Sequence, residues 1–173
     1  DTSGTLLMKY EDFFEKILQE GKDMPKYDNK NAASVEVSPD KSSIILHEFQ
    51  EAAMRRMSEI NKKKDFNGLL VLPTGAGKTM TATYWLLKNA TDKRKKVLWI
   101  AHRHLLLEQA AETFVLNGYR KASDGSDFLS HRTEYRYRII SGKHDKPINI
   151  QNNDDILICG KDSIVKNLDE IGR

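Results

Sequence analysis

A glycine-rich segment at the end of an apolar run constrains the fold of this chain more than any other feature. Residues Leu72–Thr79 read LPTGAGKT, follow the apolar run that starts at residue 68, and open a helical pattern. Without a Cβ, glycine lets backbone N–H groups turn inward around a phosphate, and the following helix N-terminus adds further donors. Lys78 can place its ammonium on the β- and γ-phosphates, and the Thr79 hydroxyl can ligate Mg²⁺. The segment therefore predicts a P-loop that binds a nucleoside triphosphate, with Lys78 and Thr79 as catalytic residues.

Short apolar runs alternate with helical patterns along the rest of the chain. The predicted strands are 68–72 and 97–101, both expected to be buried, and 138–140 and 156–159. The predicted helices are 46–60, 77–89 and 104–116, the last with Leu105, Leu106, Ala110 and Phe114 as its apolar residues. This alternation is typical of a parallel sheet covered by helices. We therefore expect an α/β fold of the P-loop NTPase type, in which helices sandwich a parallel sheet, with an exposed loop over residues 121–135.

The N-terminal part of the chain has a different pattern. Apolar residues between Leu6 and Leu18 recur at three- to four-residue spacing, which predicts an amphipathic helix that ends at Gly21. Residues 22–43 are polar and contain prolines and asparagines, so they are interpreted as a linker or a loosely packed loop. We therefore expect a helical extension and linker over residues 1–42, followed by the P-loop domain over residues 43–173.

Length and composition define the class of protein. A chain of 173 residues with 39% hydrophobic and 31% charged residues is typical of a globular domain with one buried core. No apolar run approaches the roughly 18 residues needed to span a bilayer, and the N-terminus lacks the features of a signal peptide. Cys159 is the only cysteine, which suits a cytoplasmic protein. We expect a cytoplasmic location and no membrane partner.

The P-loop and a segment ahead of it resemble motifs of the superfamily 2 helicases and translocases, most closely those of the type I and III restriction-enzyme motor (Res) subunits. Residues Leu46–Gln50 are similar to a leucine–any–any–aromatic–glutamine motif, with His47 and Glu48 where Arg and Pro are usual. The resemblance implies that Gln50 reads adenine, because an amide both donates and accepts hydrogen bonds. It implies ATP and Mg²⁺ as cofactors and a nucleotide site made of Gln50, Pro73, Thr74, Gly75, Ala76, Gly77, Lys78, Thr79 and Met80.

Two further segments resemble motifs that touch the nucleic-acid backbone in this family. Residues 97–110 form a predicted strand that enters a helix through leucines and a glutamine, and Arg103 beside His102 suits a bidentate phosphate contact. Residues 156–164 resemble a strand and turn that ends near Lys161. The resemblance therefore implies that Arg103, His102 and Lys161 bind nucleic acid, DNA more than RNA.

The chain departs from the family pattern at three further points. The threonine usual in the third segment is replaced by Gly160 or Lys161. The acidic motif that holds Mg²⁺ and positions water is missing, since Asp169–Glu170 does not follow a strand pattern. The second RecA-like lobe also has no counterpart. The resemblance thus covers the front of a first RecA-like lobe, and the rest of a longer chain is an expected partner. ATP hydrolysis is expected of the whole protein, and little or none of these residues alone.

Two other functions remain open at this level. One is a P-loop ATPase or small kinase that does not act on nucleic acid. The other is a binding module that senses ATP without turning it over, which the missing acidic motif favours only if the natural chain ends near Arg173. The leading interpretation is the ATP-binding part of a nucleic-acid-dependent ATPase, with a restriction-enzyme motor as one form of it.

Overall fold

The sheet of this protein has a parallel centre and an antiparallel extension. The computed structural model describes residues 27–29, 31–37, 46–62, 67–118 and 129–167. Within them, the strands are β1 Tyr27–Asn29, β2 Ala32–Glu36, β3 Val97–Ala101, β4 Glu134–Ile140 and β5 Ile156–Gly160. Strand β5 pairs in parallel with both β3 and β4, while β2 and then β1 continue the sheet antiparallel beyond β4. The strand order is β1-β2-β4-β5-β3.

Helices flank this sheet. They are α1 Glu48–Ile60, α2 Lys78–Asn89, α3 His104–Gly118 and the short α4 Lys161–Lys166. Helix α3 packs against β2, β3, β4 and β5, α2 packs on α3, and α1 packs on α2. The predicted α/β class is confirmed. The strand order shows that the parallel strands are joined by crossover connections. The antiparallel extension was not predicted.

Helix α3 supplies much of the core. Leu107, Ala110, Ala111 and Phe114 recur at the i, i+3, i+4, i+7 spacing of one helix face, and each is at most 3% exposed. The Tyr135 hydroxyl donates to the Phe114 carbonyl from the sheet below. The predicted apolar face also included Leu105 and Leu106, and there the prediction was wrong. Both are exposed, because Leu105 is about 200° around the helix from Leu107 and Leu106 about 100°.

Strand β4 carries apolar side chains on one face and arginines on the other. Tyr135, Tyr137 and Ile139 lie in the hydrophobic core with α3. Arg136 and Arg138 alternate with them, and the period of two in a strand places them on the opposite face. Arg138 is nevertheless only 1% exposed, so this second face is also covered.

Paired aspartates compensate the buried arginines. Arg138 donates to Asp154 Oδ2 over 2.7 Å and to Asp145 Oδ2 over 2.5 Å, and Arg136 donates to Asp154 Oδ1 over 2.8 Å. Burial lowers the pKa of Arg138, but its bonds to Asp154 and Asp145 outweigh that effect and leave the pKa above its ordinary value. Since both aspartates lie between β4 and β5, the ion pairs fasten this crossover, residues 141–155, against β4.

Several local predictions were wrong. Residues 68–72 form no strand, and Leu69 and Val71 are 88% and 75% exposed, because the described part of the chain supplies no neighbouring strand. Strand β3 is the last in the sheet order and buries only one face, so Leu98 and Ile100 are about half exposed.

The segment expected to be a linker contributes to the sheet. Residues 22–43 contain β1 and β2, and Ala32, Ala33 and Val35 are fully buried because β2 pairs with β4 along its length. Tyr135, placed in the predicted loop 121–135, is a buried residue of β4. The helix predicted between residues 6 and 18 and the Asp169–Glu170 pair lie outside the described residues.

Candidate functional site

The predicted P-loop has the backbone conformation that its glycines permit. Gly75 and Gly77 have φ angles of +79° and +72°, in the left-handed region that side chains disfavour. Gly77 immediately precedes α2, so the first N–H groups of that helix adjoin the loop. A Cβ added at Gly75 would meet no atom within 4 Å. The space beside Gly75 is therefore open, as a loop that closes around a phosphate requires.

Lys78 holds the ends of this loop together. Its ammonium donates to the carbonyl oxygens of Leu72 and Pro73, over 2.9 and 3.0 Å. The Ala76 N–H also donates to the Pro73 carbonyl, over 3.1 Å. Lys78 is exposed, so its ammonium can exchange these carbonyl oxygens for phosphate oxygens without any change in the protein core. Thr74 is exposed, and Thr79 and Met80 are partly buried at the start of α2.

Gln50 connects helix α1 to the loop. Its Nε2 donates to the Ala76 carbonyl over 3.1 Å, and its Oε1 accepts from the His47 N–H over 3.0 Å. A Cβ at Gly77 would lie only 2.7 Å from Gln50 Nε2, so glycine is required for this approach. The structure thus brings Gln50 to the P-loop, 26 residues from Ala76 along the chain. Gln50 is 5% exposed, and one further proton and one lone pair of its amide are free of the bonds described.

A cleft of about 420 Å³ lies where three strands end. His102, Arg103 and His104 follow β3; Ser141, Asp145 and Lys146 follow β4; Gly160, Lys161 and Ser163 lie at the end of β5. The carboxyl ends of parallel strands share one edge of a sheet, and ligands of open α/β folds bind there. The cleft therefore unites Arg103, His102 and Lys161, the three residues predicted to contact nucleic acid.

The cleft is rich in positive charge. Arg103, Lys146, Lys161 and Lys166 line it, against the carboxylates of Asp145 and Asp162, and Asp145 is paired with the buried Arg138. Such a surface attracts a polyanion. Arg103 and Lys161 are exposed and their side chains form no hydrogen bond or ion pair within the described residues, which leaves their donors free for a ligand.

The residues that follow β4 were not predicted to belong to the site. Ser141 and Lys146 line the cleft, and in the turn after Ser141 the His144 N–H donates to the Ser141 carbonyl over 3.1 Å. A signal was available, because residues 138–140 were predicted as a strand and ligands of open α/β folds bind where parallel strands end.

Gly160 has a packing role at the end of β5. A Cβ there would lie 3.3 Å from the Cβ of Ser141, tighter than most side-chain contacts. The absence of a side chain thus lets the end of β5 approach the turn after β4. The neighbouring Cys159 is fully buried, and burial raises the pKa of its thiol to about 11, which makes it unreactive.

Comparison with known proteins assigns the family. The model of the type III restriction enzyme res subunit family matches residues 43–171, which include the P-loop, Gln50 and the cleft. No curated protein matches the chain. Within the described residues no helix is long and apolar enough to cross a membrane. The chain therefore belongs to the type III restriction enzyme res subunit (ResIII) family, whose members are helicase-like ATPases with a RecA-like P-loop fold.

Proposed function

We propose that this protein is the ATP-binding part of a nucleic-acid-dependent ATPase that couples ATP hydrolysis to movement on DNA, as the motor of a restriction enzyme does. The observation that carries the nucleic-acid part is the cleft, in which Arg103 and Lys161 converge from separate strands on a surface with unused donors. The ATP part rests on the loop geometry around Gly75, Gly77 and Lys78. The partners are DNA and, from the same protein, a second RecA-like lobe, in a cytoplasmic setting.

The loop residues have distinct roles in this proposal. Lys78 exchanges the carbonyls of Leu72 and Pro73 for the β- and γ-phosphates and stabilises charge as the γ-phosphoryl passes to water. The loop N–H groups hold the β-phosphate. The Thr79 hydroxyl would be one of the groups that hold Mg²⁺, which when bound would neutralise charge on the phosphates. A water-positioning acidic group and arginines of a second lobe complete the site from outside the described residues.

Gln50 is proposed to read adenine while it supports the loop. Its free proton and lone pair match the N7 acceptor and N6 donor of adenine, whereas guanine presents acceptors at both N7 and O6. Gln50→Ala is expected to weaken ATP binding about tenfold more than GTP binding, the magnitude of one to two hydrogen bonds, because only the adenine contacts differ between the two nucleotides. Calorimetric titration with both nucleotides measures this, with Gln109→Ala on α3 as control. Equal weakening of ATP and GTP would instead assign Gln50 to loop support alone.

Arg103→Ala is expected to weaken DNA binding about three- to tenfold, because one phosphate contact is lost. For the same reason the negative slope of log K against log salt concentration is expected to become shallower by about one. Fluorescence anisotropy with an oligodeoxythymidine from 50 to 200 mM salt measures both quantities on the intact protein. Arg56→Ala is the matched control, because Arg56 is an exposed arginine on α1, outside the cleft. Unchanged affinity and slope in Arg103→Ala would remove this cleft from the proposal.

A further inference from the structure

A chain of hydrogen bonds links the cleft to helix α3. The Ser141 hydroxyl lies 3.0 Å from His104 Nδ1 and 2.6 Å from His144 Nδ1. The other nitrogen of His144, Nε2, lies 3.1 Å from Glu108 Oε1. Ser141 is 6% exposed and the His144 side chain 8% exposed, so water competes little for the bond between them, whereas the Glu108 side chain is 52% exposed. His104 and Ser141 both line the cleft.

With His144 in its neutral form, the donors and acceptors in this chain have one consistent arrangement of protons. An ionised carboxylate only accepts, so His144 carries its proton on Nε2, toward Glu108. Neutral His144 then has a bare Nδ1, which accepts the single proton of the Ser141 hydroxyl. Because that proton is used, His104 Nδ1 must donate to Ser141, whose oxygen also accepts the Lys143 N–H over 3.3 Å. The hydroxyl is thereby fully satisfied.

This arrangement leaves one polar atom of the chain unused. His104 Nδ1 is committed to Ser141, and Nε2 of the same ring has no hydrogen-bond partner among the described residues. In the neutral ring Nε2 is an acceptor, which suits no phosphate oxygen. When the ring is protonated, Nε2 becomes a charged donor while the bond from Nδ1 to Ser141 is kept. Protonation therefore converts His104 into an anion-binding group without rearranging the chain.

Charged groups surround His104 on the elements packed against it. The cations that line the cleft or lie in its turns are Arg103, Lys143, Lys146, Lys161 and Lys166, and His102 is a further titratable group there. The carboxylates are Glu108 beyond His144, Asp145 paired with Arg138, and Asp162 on α4. The cations disfavour a further positive charge on the His104 ring, and a phosphate placed among them offsets that repulsion. A bound phosphate therefore favours the protonated form of the ring.

We propose that His104 binds a backbone phosphodiester of the nucleic acid as an imidazolium, held by the Ser141–His144–Glu108 chain, and that binding takes up a proton at this ring. The inference rests on the proposed nucleic-acid function of the cleft and adds a residue and a proton to it. Affinity for nucleic acid then falls as pH rises through the range in which the ring loses its charge.

Proton uptake is measured directly by calorimetry. Titration of the intact protein with an oligodeoxythymidine at pH 7, in two buffers of different ionisation enthalpy, is expected to give net uptake of up to about one proton. The same probe followed by anisotropy is expected to bind about tenfold more tightly at pH 6 than at pH 8. His104→Gln, which keeps an amide donor but cannot titrate, is expected to lose both effects and to bind like the unmodified protein at pH 8.

Two further variants separate the role of His104 from other causes. His102→Gln removes a neighbouring histidine of the cleft that is outside the chain, and is expected to keep the proton uptake. Ser141→Ala removes the acceptor of His104 Nδ1 and is expected to reduce the uptake without abolishing binding. Thermal melts establish that each variant is folded.

The outcomes are distinguishable. Salt-dependent binding with no proton uptake, or uptake that persists in His104→Gln, overturns this inference and leaves the proposed function intact. Uptake that disappears in His102→Gln instead assigns the proton to another ring and also overturns it. The absence of oligodeoxythymidine binding at every pH and salt concentration overturns the inference together with the nucleic-acid part of the proposed function.

Discussion

Lys78→Ala is expected to abolish ATP binding, with affinity reduced at least about a hundredfold, because two charge-assisted bonds to the phosphates are lost at one position. In the ligand-free loop the same ammonium bonds to the carbonyls of Leu72 and Pro73, so ATP competes with these contacts and not with water alone. Isothermal titration of ATP with Mg²⁺ into the intact protein measures the effect. Unchanged affinity in this variant would remove the P-loop assignment.

A matched control separates phosphate contact from general loss of charge. Lys95→Ala removes an exposed lysine from the turn before β3, outside the loop, and is expected to bind ATP normally. Because Lys78 also braces its own loop, thermal melts of both variants are needed. If the melting temperature of Lys78→Ala is close to that of Lys95→Ala, the lost binding is due to the missing phosphate contacts. A much lower melting temperature of Lys78→Ala would attribute the loss to unfolding.

Asp154→Asn is expected to lower the free energy of unfolding by about 3 kcal/mol, because it removes the buried negative charge that Arg136 and Arg138 share, although Arg138 keeps its bond to Asp145. Asp154 is 3% exposed and accepts from both Arg136 and Arg138, and Arg138 is 1% exposed. Asparagine preserves the volume and removes the charge, so a cavity does not confuse the result. Urea denaturation followed by circular dichroism measures the change.

Asp162→Asn is the control for that experiment. Asp162 is exposed in the first turn of α4, and its loss is expected to change the free energy of unfolding by less than about 0.5 kcal/mol. If Asp154→Asn were equally mild, the ion pairs to Arg136 and Arg138 would not be what fastens the crossover between β4 and β5. A destabilised Asp154→Asn is also expected to bind DNA more weakly, since that crossover carries Ser141 and Lys146 to the cleft.

Local patterns were sufficient to predict most elements of the fold. The glycines and lysine of 72–79 predicted a loop before a helix, and Ala110 and Phe114 were predicted correctly on the buried face of α3, although Leu105 and Leu106 were not. Residues 68–72 show the limit of such reasoning. An apolar run predicts burial, but a strand forms only where another strand lies beside it, and that depends on the whole sheet.

The antiparallel edge could not be predicted for the same reason. Residues 32–36 are short and flanked by polar segments, and only their pairing with β4 makes Ala33 and Val35 buried. The ion pairs of Arg138 were also beyond sequence reasoning. An arginine between Tyr137 and Ile139 predicts an exposed face, and its burial depends on Asp145 and Asp154 in the following crossover.

Part of the cleft was predictable and part was not. Arg103 and Lys161 were identified because the segments that contain them resemble family motifs, whereas the residues after β4 could have been identified from their position at the end of a predicted strand. The bonds of His104, His144 and Glu108 to one another could not, because they join a helix to a turn 36 residues further along the chain. Sequence spacing carries no information about such a contact.

The central claim is tested most directly by steady-state ATP hydrolysis of the intact protein, with and without single-stranded DNA, duplex DNA and RNA. Lys78→Ala serves as the blank. The account predicts that DNA strongly stimulates hydrolysis, that Arg103→Ala weakens the stimulation, and that the Lys78→Ala rate stays at background. Hydrolysis that is equal with and without nucleic acid would contradict the account in favour of a general ATPase, and ATP binding with no turnover under any condition would contradict it in favour of an ATP sensor.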